Sequence, residues 1–553
     1  MAKMKGARAF LECLKMEGVK YIFGNPGTTE VPLLDALCDF PEITYILTLQ
    51  ESVAVGMADG FTRSGGDVGV VNVHTSVGLA NTIGGIYTAS LAKSPVVVAI
   101  ANKDMRILGR NSFCEVPDLP GMTRQFTKWS WEVRTAERIP EDLLRGIKVA
   151  TTFPRGPVFL SFAEDFLDTE VEVESLVSTR PKSKLSFQGN EEEIRKAAQL
   201  LLSAKAPLLI AGNEVASSGA FHEGVELAEL LGLPVMSEGR ESWAYLTFPH
   251  THPLFRGGYD PKSPHAKKAD VVLGMGCKMF VDSNFSPVPD IPQEAKIIHF
   301  HSDPSEMARR YPEEISVLCE TRSGMKALLD VLRPLVAGEL KSRFQKRMED
   351  LRREKEEERA QREKEVRAHW DDVPIHLSRL IRELNQAVDK DAIIVDEATR
   401  SSRALLRHYD FEVPGTFYRS AVGYLGWGTP AALGIKLANP GRQVISIVGD
   451  GSFIFSIQNL WTAAKYNIPV VVVVCNNREY RAVKETCVQY KGVGAKKGVF
   501  PATDIKDPDI EFCRLAEGFG VWAKKVVHPE EIKPALKEAL SLGKVAVLDV
   551  KIA

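Results

Sequence analysis

No apolar run in the 553 residues approaches the roughly 20 needed to span a bilayer. The first residues, Met1 to Phe23, have amphipathic spacing but no apolar signal-peptide core; they are expected to form a helix running into a strand of a cytoplasmic protein. Cysteine is sparse: there are eight, none in a Cys-x-x-Cys pair or at metal-ligand spacing, which excludes a zinc ribbon or disulfide framework and fits reduced thiols. Net charge is also small, at −2, so nothing in the balance favours nucleic acid or an anionic membrane as a partner.

What is present is alternation. The length exceeds what one core can organise and suggests about three domains. From 1 to 185, apolar segments at Tyr45–Leu49, Val68–Val73, Pro95–Ile100 and Pro157–Ser161 alternate with helical spacing, the pattern of an α/β domain with a parallel sheet. Polar residues Ser178–Lys184 read as a linker. A second α/β unit, 188–337, has strands expected at Pro207–Ala211, Val271–Gly274 and Lys296–Phe300. Residues 338–372 contain a mixed-sign charge run with too few apolar positions for a coiled coil, and are expected to be a solvated helical connector. A third α/β domain occupies 373–553.

That third domain contains GDGSFIFSIQNLWTAAKYNIPVVVVVCNN, residues 449 to 477. Short β-branched strands, Gln443–Val448 and Ile468–Cys475, flank a helical stretch, giving a βαβ unit. In open α/β sheets ligands bind at the carboxyl ends of the strands, where Asp450 and Asn477 fall. An Asp carboxylate, an Asn amide oxygen and a nearby carbonyl make an oxygen set suited to Mg²⁺. Gly449 and Gly451 let the backbone approach a diphosphate, and amides following Ser452 face its charge. The plain alternative is a turn on each side of a helix. The stretch is neither the dinucleotide G-x-G-x-x-G nor a P-loop.

The pattern resembles the signature of thiamine diphosphate (ThDP) enzymes: GDG followed some two dozen residues later by NN. Three α/β domains with this motif in the last are similar to the ThDP decarboxylase and acetolactate synthase superfamily, and most similar to benzoylformate decarboxylase. The segments carrying the closer likeness are Phe23-Gly-Asn-Pro-Gly-Thr-Thr-Glu30, Asn72-Val-His74-Thr, Lys128-Trp-Ser130 and Leu460–Pro469. The resemblance implies Asp450 and Asn477 as metal ligands, with the main-chain oxygen of Glu479 as the third. Gly449, Gly451, Ser452, Tyr480 and Thr399 would surround the diphosphate. Gly423 and Leu425 would hold the aminopyrimidine and wedge under the bent cofactor, with Pro26 and Gly27 contacting it from the first domain. Glu51, alternatively a helix-capping acid, would protonate N1′ of the pyrimidine. His74, alternatively a satisfied buried imidazole, and Thr28 would handle the substrate and its protons. Pyrimidine and diphosphate would be held by different subunits, so a homodimer at minimum, and a homotetramer, is expected.

Departures limit the resemblance. The family's second active-site histidine falls near Ser283, and Phe113, Arg419 and Thr486 stand on the expected pocket wall, two of them where phenylalanines are expected. Arg419 would need an anion, either a protein carboxylate or a second polar group on the substrate. The adjacent His-His pair of pyruvate decarboxylases is absent. Gly276–Asp282 replaces the middle-domain segment of flavin-bearing acetolactate synthases, so FAD is not expected. The expected function is Mg²⁺- and ThDP-dependent, non-oxidative decarboxylation of a small 2-oxo acid, with carboligation as a companion activity. The alternatives are an acetolactate-synthase-like transferase and a non-catalytic ThDP-binding homologue; intact Glu51, Asp450 and Asn477 weigh against the last.

Overall fold

The computed structural model describes residues 2–173, 178, 186–239, 243–282, 285–286 and 289–553. Three six-stranded parallel sheets follow one another along the chain. In spatial order the first comprises Thr44–Leu47, Tyr21–Asn25, Gly69–His74, Val96–Asn102, Val158–Ala163 and Trp129–Glu132. The third comprises Phe417–Arg419, Ile393–Glu397, Val444–Gly449, Val471–Asn476, Ala546–Lys551 and Trp522–Val526. Both run second, first, third, fourth, sixth, fifth in order of appearance, so both place their switch point between the first and third strands to appear. Ligand crevices of doubly wound sheets form at such points. The central sheet, Phe255–Gly258, Val235–Ser237, Pro207–Ala211, Val271–Met275, Lys296–His301 and Ile315–Leu318, also winds in both directions.

The expected strands form, with ends set by local geometry. The valine run is a fully buried central strand, Val471–Asn476, flanked on both sides by parallel partners. The strand at Thr44–Leu47 stops short of the expected Leu49 because Leu49 adopts φ 58° and Gln50 turns its side chain back to cap a helix, accepting from Ser52 N at 2.5 Å and Val53 N at 3.3 Å. The N-terminal expectation needs correction. Residues Ala2–Lys5 are a strand paired antiparallel with Glu170–Val173, and the helix begins only at Gly6. Lys3 and Lys5 favour this edge pairing by facing Glu172 and Asp168. The Ser178–Lys184 linker lies outside the described residues apart from Ser178. The charged connector is a helix, Gly338–Ala368, but it is not wholly solvated: Phe344, Leu351 and Val366 are buried.

Two helices weld the first domain to the third. Glu51–Arg63 crosses Gly428–Ala438 so closely that a Cβ on Gly434 would overlap the Met57 carbonyl oxygen, and one on Gly60 would overlap that of Ala431. At the end of this crossing lies Arg63, whose side chain is 1% exposed. Its Nη2 donates to Ala244 O (2.8 Å) in the central domain and Arg419 O (2.9 Å) in the third, and Nη1 lies 3.5 Å from Asp59. The guanidinium also sits over the rings of Tyr245 and Trp427, at 4.4 and 4.9 Å from their centroids. Asp59 is buried and accepts from Trp427 Nε1 at 2.7 Å. Arg63→Leu strands Asp59 without its cation and should destabilise the protein by about 3–5 kcal/mol, read as a lowered urea midpoint. Arg8→Leu, which removes exposed pairs with Asp39 and Glu12, should cost about 1 kcal/mol or less.

Candidate functional site

At the switch point of the third sheet, Gly449 ends one strand and Asp450 opens a four-residue helix. The Asp450 carboxylate is buried; Oδ1 accepts from Gly451 N at 2.8 Å and Oδ2 from Arg478 N at 2.6 Å. It has no cationic side chain within ion-pair distance among the described residues, and burial pushes its pKa up. Asn477 Oδ1, just past the neighbouring strand, accepts from Glu479 N at 3.1 Å. The two amides of the Asn pair divide their work: Asn476 is buried and donates to Asp549 Oδ1 at 2.7 Å, while Asn477 stands half-buried at the strand exit. Glu479 turns its carboxylate to Arg481 Nε at 2.8 Å and Lys484 Nζ at 2.5 Å. Ser452 is buried in the first turn, and the Tyr480 ring packs over Gly451. This donor set is oxygen-only and short of positive charge, the environment a Mg²⁺-diphosphate group fits.

Across the switch point, Asp396 and Glu397 end their strand fully enclosed. Glu397 accepts from Gly426 N at 2.5 Å and Gly428 N at 2.6 Å, and burial pushes its pKa up to about 8. It thereby fixes the loop carrying exposed Gly423 and half-buried Leu425. Thr399, with φ 50°, turns the chain outward just beyond. Arg419 Nε lies 3.7 Å from Asp396 Oδ2, so the protein itself supplies a carboxylate partner. Burial raises the Asp396 pKa while Arg419 opposes the shift.

The first sheet brings a second group to its own switch point. Glu51 begins its helix half-buried; Oε1 accepts from Asn25 Nδ2 and Oε2 from Asn81 Nδ2, each at 3.0 Å. Both partners are neutral. His74 ends the strand Gly69–His74 with its side chain 22% exposed. Its Nδ1 lies 3.0 Å from Thr29 Oγ1 and 3.2 Å from Glu30 Oε2. Glu30 is completely buried and also accepts from Gly27 N at 2.8 Å and Ala101 N at 3.0 Å. Gly27 passes so close to the imidazole that a Cβ there would overlap the ring. The hydroxyl against His74 is therefore that of Thr29, while Thr28 is exposed next to it and Pro26 is half-buried at the start of the loop. Thr29 and Glu30 went unassigned in the sequence; the single available signal was their place in the Asn-Pro-Gly segment.

The expected substrate-wall residues are scattered within one chain. Phe113 is 78% exposed on a loop after Val96–Asn102, next to Lys103. Thr486 is exposed on helix Arg481–Tyr490 and donates to Ala482 O at 2.9 Å. Ser283 lies outside the described residues.

These half-sites match known proteins along nearly the whole chain. The N-terminal TPP binding domain of thiamine pyrophosphate enzymes matches residues 4–122, their central domain residues 194–328, and their C-terminal TPP binding domain residues 397–550. A probable acetolactate synthase large subunit from Methanocaldococcus jannaschii is 32% identical, the match covering 99% of this chain and 92% of that protein. Benzoylformate decarboxylase from Pseudomonas aeruginosa is 30% identical, covering 98% of each chain. Among solved structures, a thiamine diphosphate-dependent 4-hydroxybenzoylformate decarboxylase from Rhodococcus jostii superposes with a TM-score of 0.86 at 28% identity over 99% of each chain. No helix among the described residues is long and apolar enough to cross a membrane. Three domain matches in order, on three parallel-sheet domains with the two half-sites at matching switch points, establish that the chain belongs to the thiamine pyrophosphate enzyme family, within its acetolactate synthase and benzoylformate decarboxylase group.

Proposed function

We propose that the protein is a Mg²⁺- and ThDP-dependent lyase that removes CO₂ from a small 2-oxo acid, with carboligation as a companion activity. The observation that carries the reading is the pairing of a charge-deficient oxygen crevice at Asp450 with a proton-handling group at Glu51 and His74: Asp450 and His74 each stand at the end of the third strand to appear in their sheet, and Glu51 reaches Asn25 at the end of the first. Asp450, Asn477 and the main chain of Glu479 would hold Mg²⁺, with Gly449, Gly451, Ser452, Tyr480 and Thr399 around the diphosphate. When bound, ThDP supplies the electron sink for the pair left by departing CO₂.

Among the described residues Glu51 is held by two neutral amides and no cation, a setting that suits exchange of a proton with N1′ of the aminopyrimidine. Glu30 and Thr29 occupy Nδ1 of His74, and Nε2 makes no hydrogen bond among the described residues. Nε2 is thus left to move a proton to or from the substrate, or to orient its carboxylate. Because Asp396 already faces Arg419, the substrate need not bring a second anion. In the central sheet, Glu214 accepts from Ser302 N at 3.2 Å and Thr321 Oγ1 at 2.7 Å at the strand ends, a carboxylate where a flavin dinucleotide's phosphates would be expected. This supports a reaction without FAD. The proposal includes assembly of at least a homodimer, and of a homotetramer, with the Glu51 and Asp450 groups carried by different domains. The archaeal acetolactate synthase relative favours a second reading, condensation of two 2-oxo acids.

Product analysis with pyruvate separates these readings: acetaldehyde is expected from the lyase, and 2-acetolactate as the main product would establish the transferase. Asp450→Ala should abolish ThDP retention with the circular dichroism spectrum unchanged; unchanged ThDP affinity would remove Asp450 from the metal site. Glu51→Gln should lower turnover by about 10²–10⁴-fold while Mg²⁺ and ThDP still bind. Hydrogen–deuterium exchange at C2 of bound ThDP should slow in parallel, and a normal exchange rate would exonerate the residue.

A further inference from the structure

The charged helix Gly338–Ala368 has no task in the proposed reaction, yet it straps two domains together. Its first half drives Phe344 and Leu351 into the core of the central domain. Its second half is fastened to the third domain, where Glu363 pairs with Arg382 at 2.9 Å, Glu365 pairs with Arg407 at 2.7 Å, and Arg362 Nη1 donates to Arg407 O at 2.6 Å. Beneath its middle opens a cavity of about 540 Å³, within the range of about 300–1,000 Å³ typical of small-molecule sites. The cavity lies at the amino ends of the central strands Pro207–Ala211 and Val235–Ser237, the edge opposite the carboxyl ends where Glu214 sits.

The lining is sorted by chemistry. One side presents Lys205, Lys268 and Arg347, none of which has a carboxylate within ion-pair distance among the described residues. Arg347 reaches only the Leu231 carbonyl oxygen, at 3.4 Å. Of the nearby acids, Asp350 pairs with Arg353, and Asp270 accepts from the backbone amides Lys205 N at 2.7 Å and Ala206 N at 2.9 Å. Burial and Arg343 lower the Arg347 pKa, with Asp270 opposing the shift in part. The floor is apolar, with Pro207, Pro234 and Met236. At the other side the sign reverses. Glu354 is 3.0 Å from His265 Nε2 and 3.8 Å from Arg256 Nη1, and Glu357 has no ion pair among the described residues. Arg256, 2% exposed, also meets Glu358 at 3.3 Å through Nη1, while its buried Nε has no hydrogen-bond partner among the described residues.

We propose that this cavity binds a phosphorylated organic molecule of mononucleotide size, its phosphate held by Lys205, Lys268 and Arg347, its flat apolar body on the proline floor, and its hydroxyl or amino donors at Glu354 and Glu357. Three cations without an ion-pair partner among the described residues favour a group with more than one negative charge, which a phosphate monoester supplies and a single carboxylate does not. The acids opposite repel a second anionic group and accept neutral donors.

The test is calorimetric titration of AMP into the holoenzyme saturated with ThDP and Mg²⁺, so that the catalytic diphosphate site is already filled. One AMP per chain should bind, with adenosine and inorganic phosphate each weaker by roughly tenfold or more. The exposed double variant Lys205→Glu, Lys268→Glu should fold, keep its turnover, and lose AMP affinity by roughly tenfold or more. No binding of AMP, equal binding of adenosine, equal binding of inorganic phosphate, or unchanged affinity in the double variant would each overturn the assignment.

Discussion

Everything near the crevices depends on one buried cation. Arg63 joins all three domains at a single point, taking a carbonyl from Ala244 in the central domain, a carbonyl from Arg419 in the third, and the Asp59 carboxylate from its own helix. A buried guanidinium is tolerated only where its charge is met; here Asp59 and the aromatic faces do that work, while Nε and Nη1 make no hydrogen bond among the described residues. The helix it terminates begins at Glu51, about 18 Å away at 1.5 Å per residue. The position of Glu51 is therefore set by the same contact that fixes the start of the 419–428 segment, and Trp427 ties that segment to Asp59 once more. Close packing of Gly434 on Met57 leaves no side-chain layer to absorb error between them.

Much of this was legible in the sequence because the decisive features are local. The Gly-Asp-Gly turn, the valine strand and the Asn pair lie within 29 consecutive residues, and both strand ends fall where the apolar runs stop. Glu51 was legible for the same reason, since a buried strand gives way there to a small-residue helix. What stayed hidden is set by tertiary neighbours. Asp396 and Arg419 are register partners on adjacent strands 23 positions apart, so no spacing rule connects them. Thr28 and Thr29 are adjacent in a single 3₁₀ turn, where one faces water and the other the imidazole; periodicity over three residues cannot tell them apart. The connector's hold on the core rests on Phe344 and Leu351, one heptad apart, too few for an amphipathic pattern to register.

The acids of the crevices differ by environment rather than by type. Glu397 and Asp450 both accept main-chain amides at strand ends, and burial pushes both toward the protonated form. Glu397 is enclosed by the loop it organises, so its carboxylate acts on backbone. Asp450 opens toward the strand exit shared with Asn477. Glu30 is as deeply buried as either and holds an imidazole as well as two main-chain amides. Three carboxyl groups thus stand in three settings, clamping a loop, opening toward a strand exit and orienting a ring, according to what each can reach.

The division of the two asparagines ties chemistry to counting. Successive side chains on a strand point to opposite faces, so Asn476 reaches inward to Asp549 while Asn477 emerges at the crevice. Loss of one residue in the valine run would draw Asn477 into the inward slot of Asn476, and gain of one would push Asn476 out to the strand exit. The valines themselves are nearly interchangeable, but their number is not. The strand works as a ruler whose parity, more than its composition, decides which amide stands at the crevice.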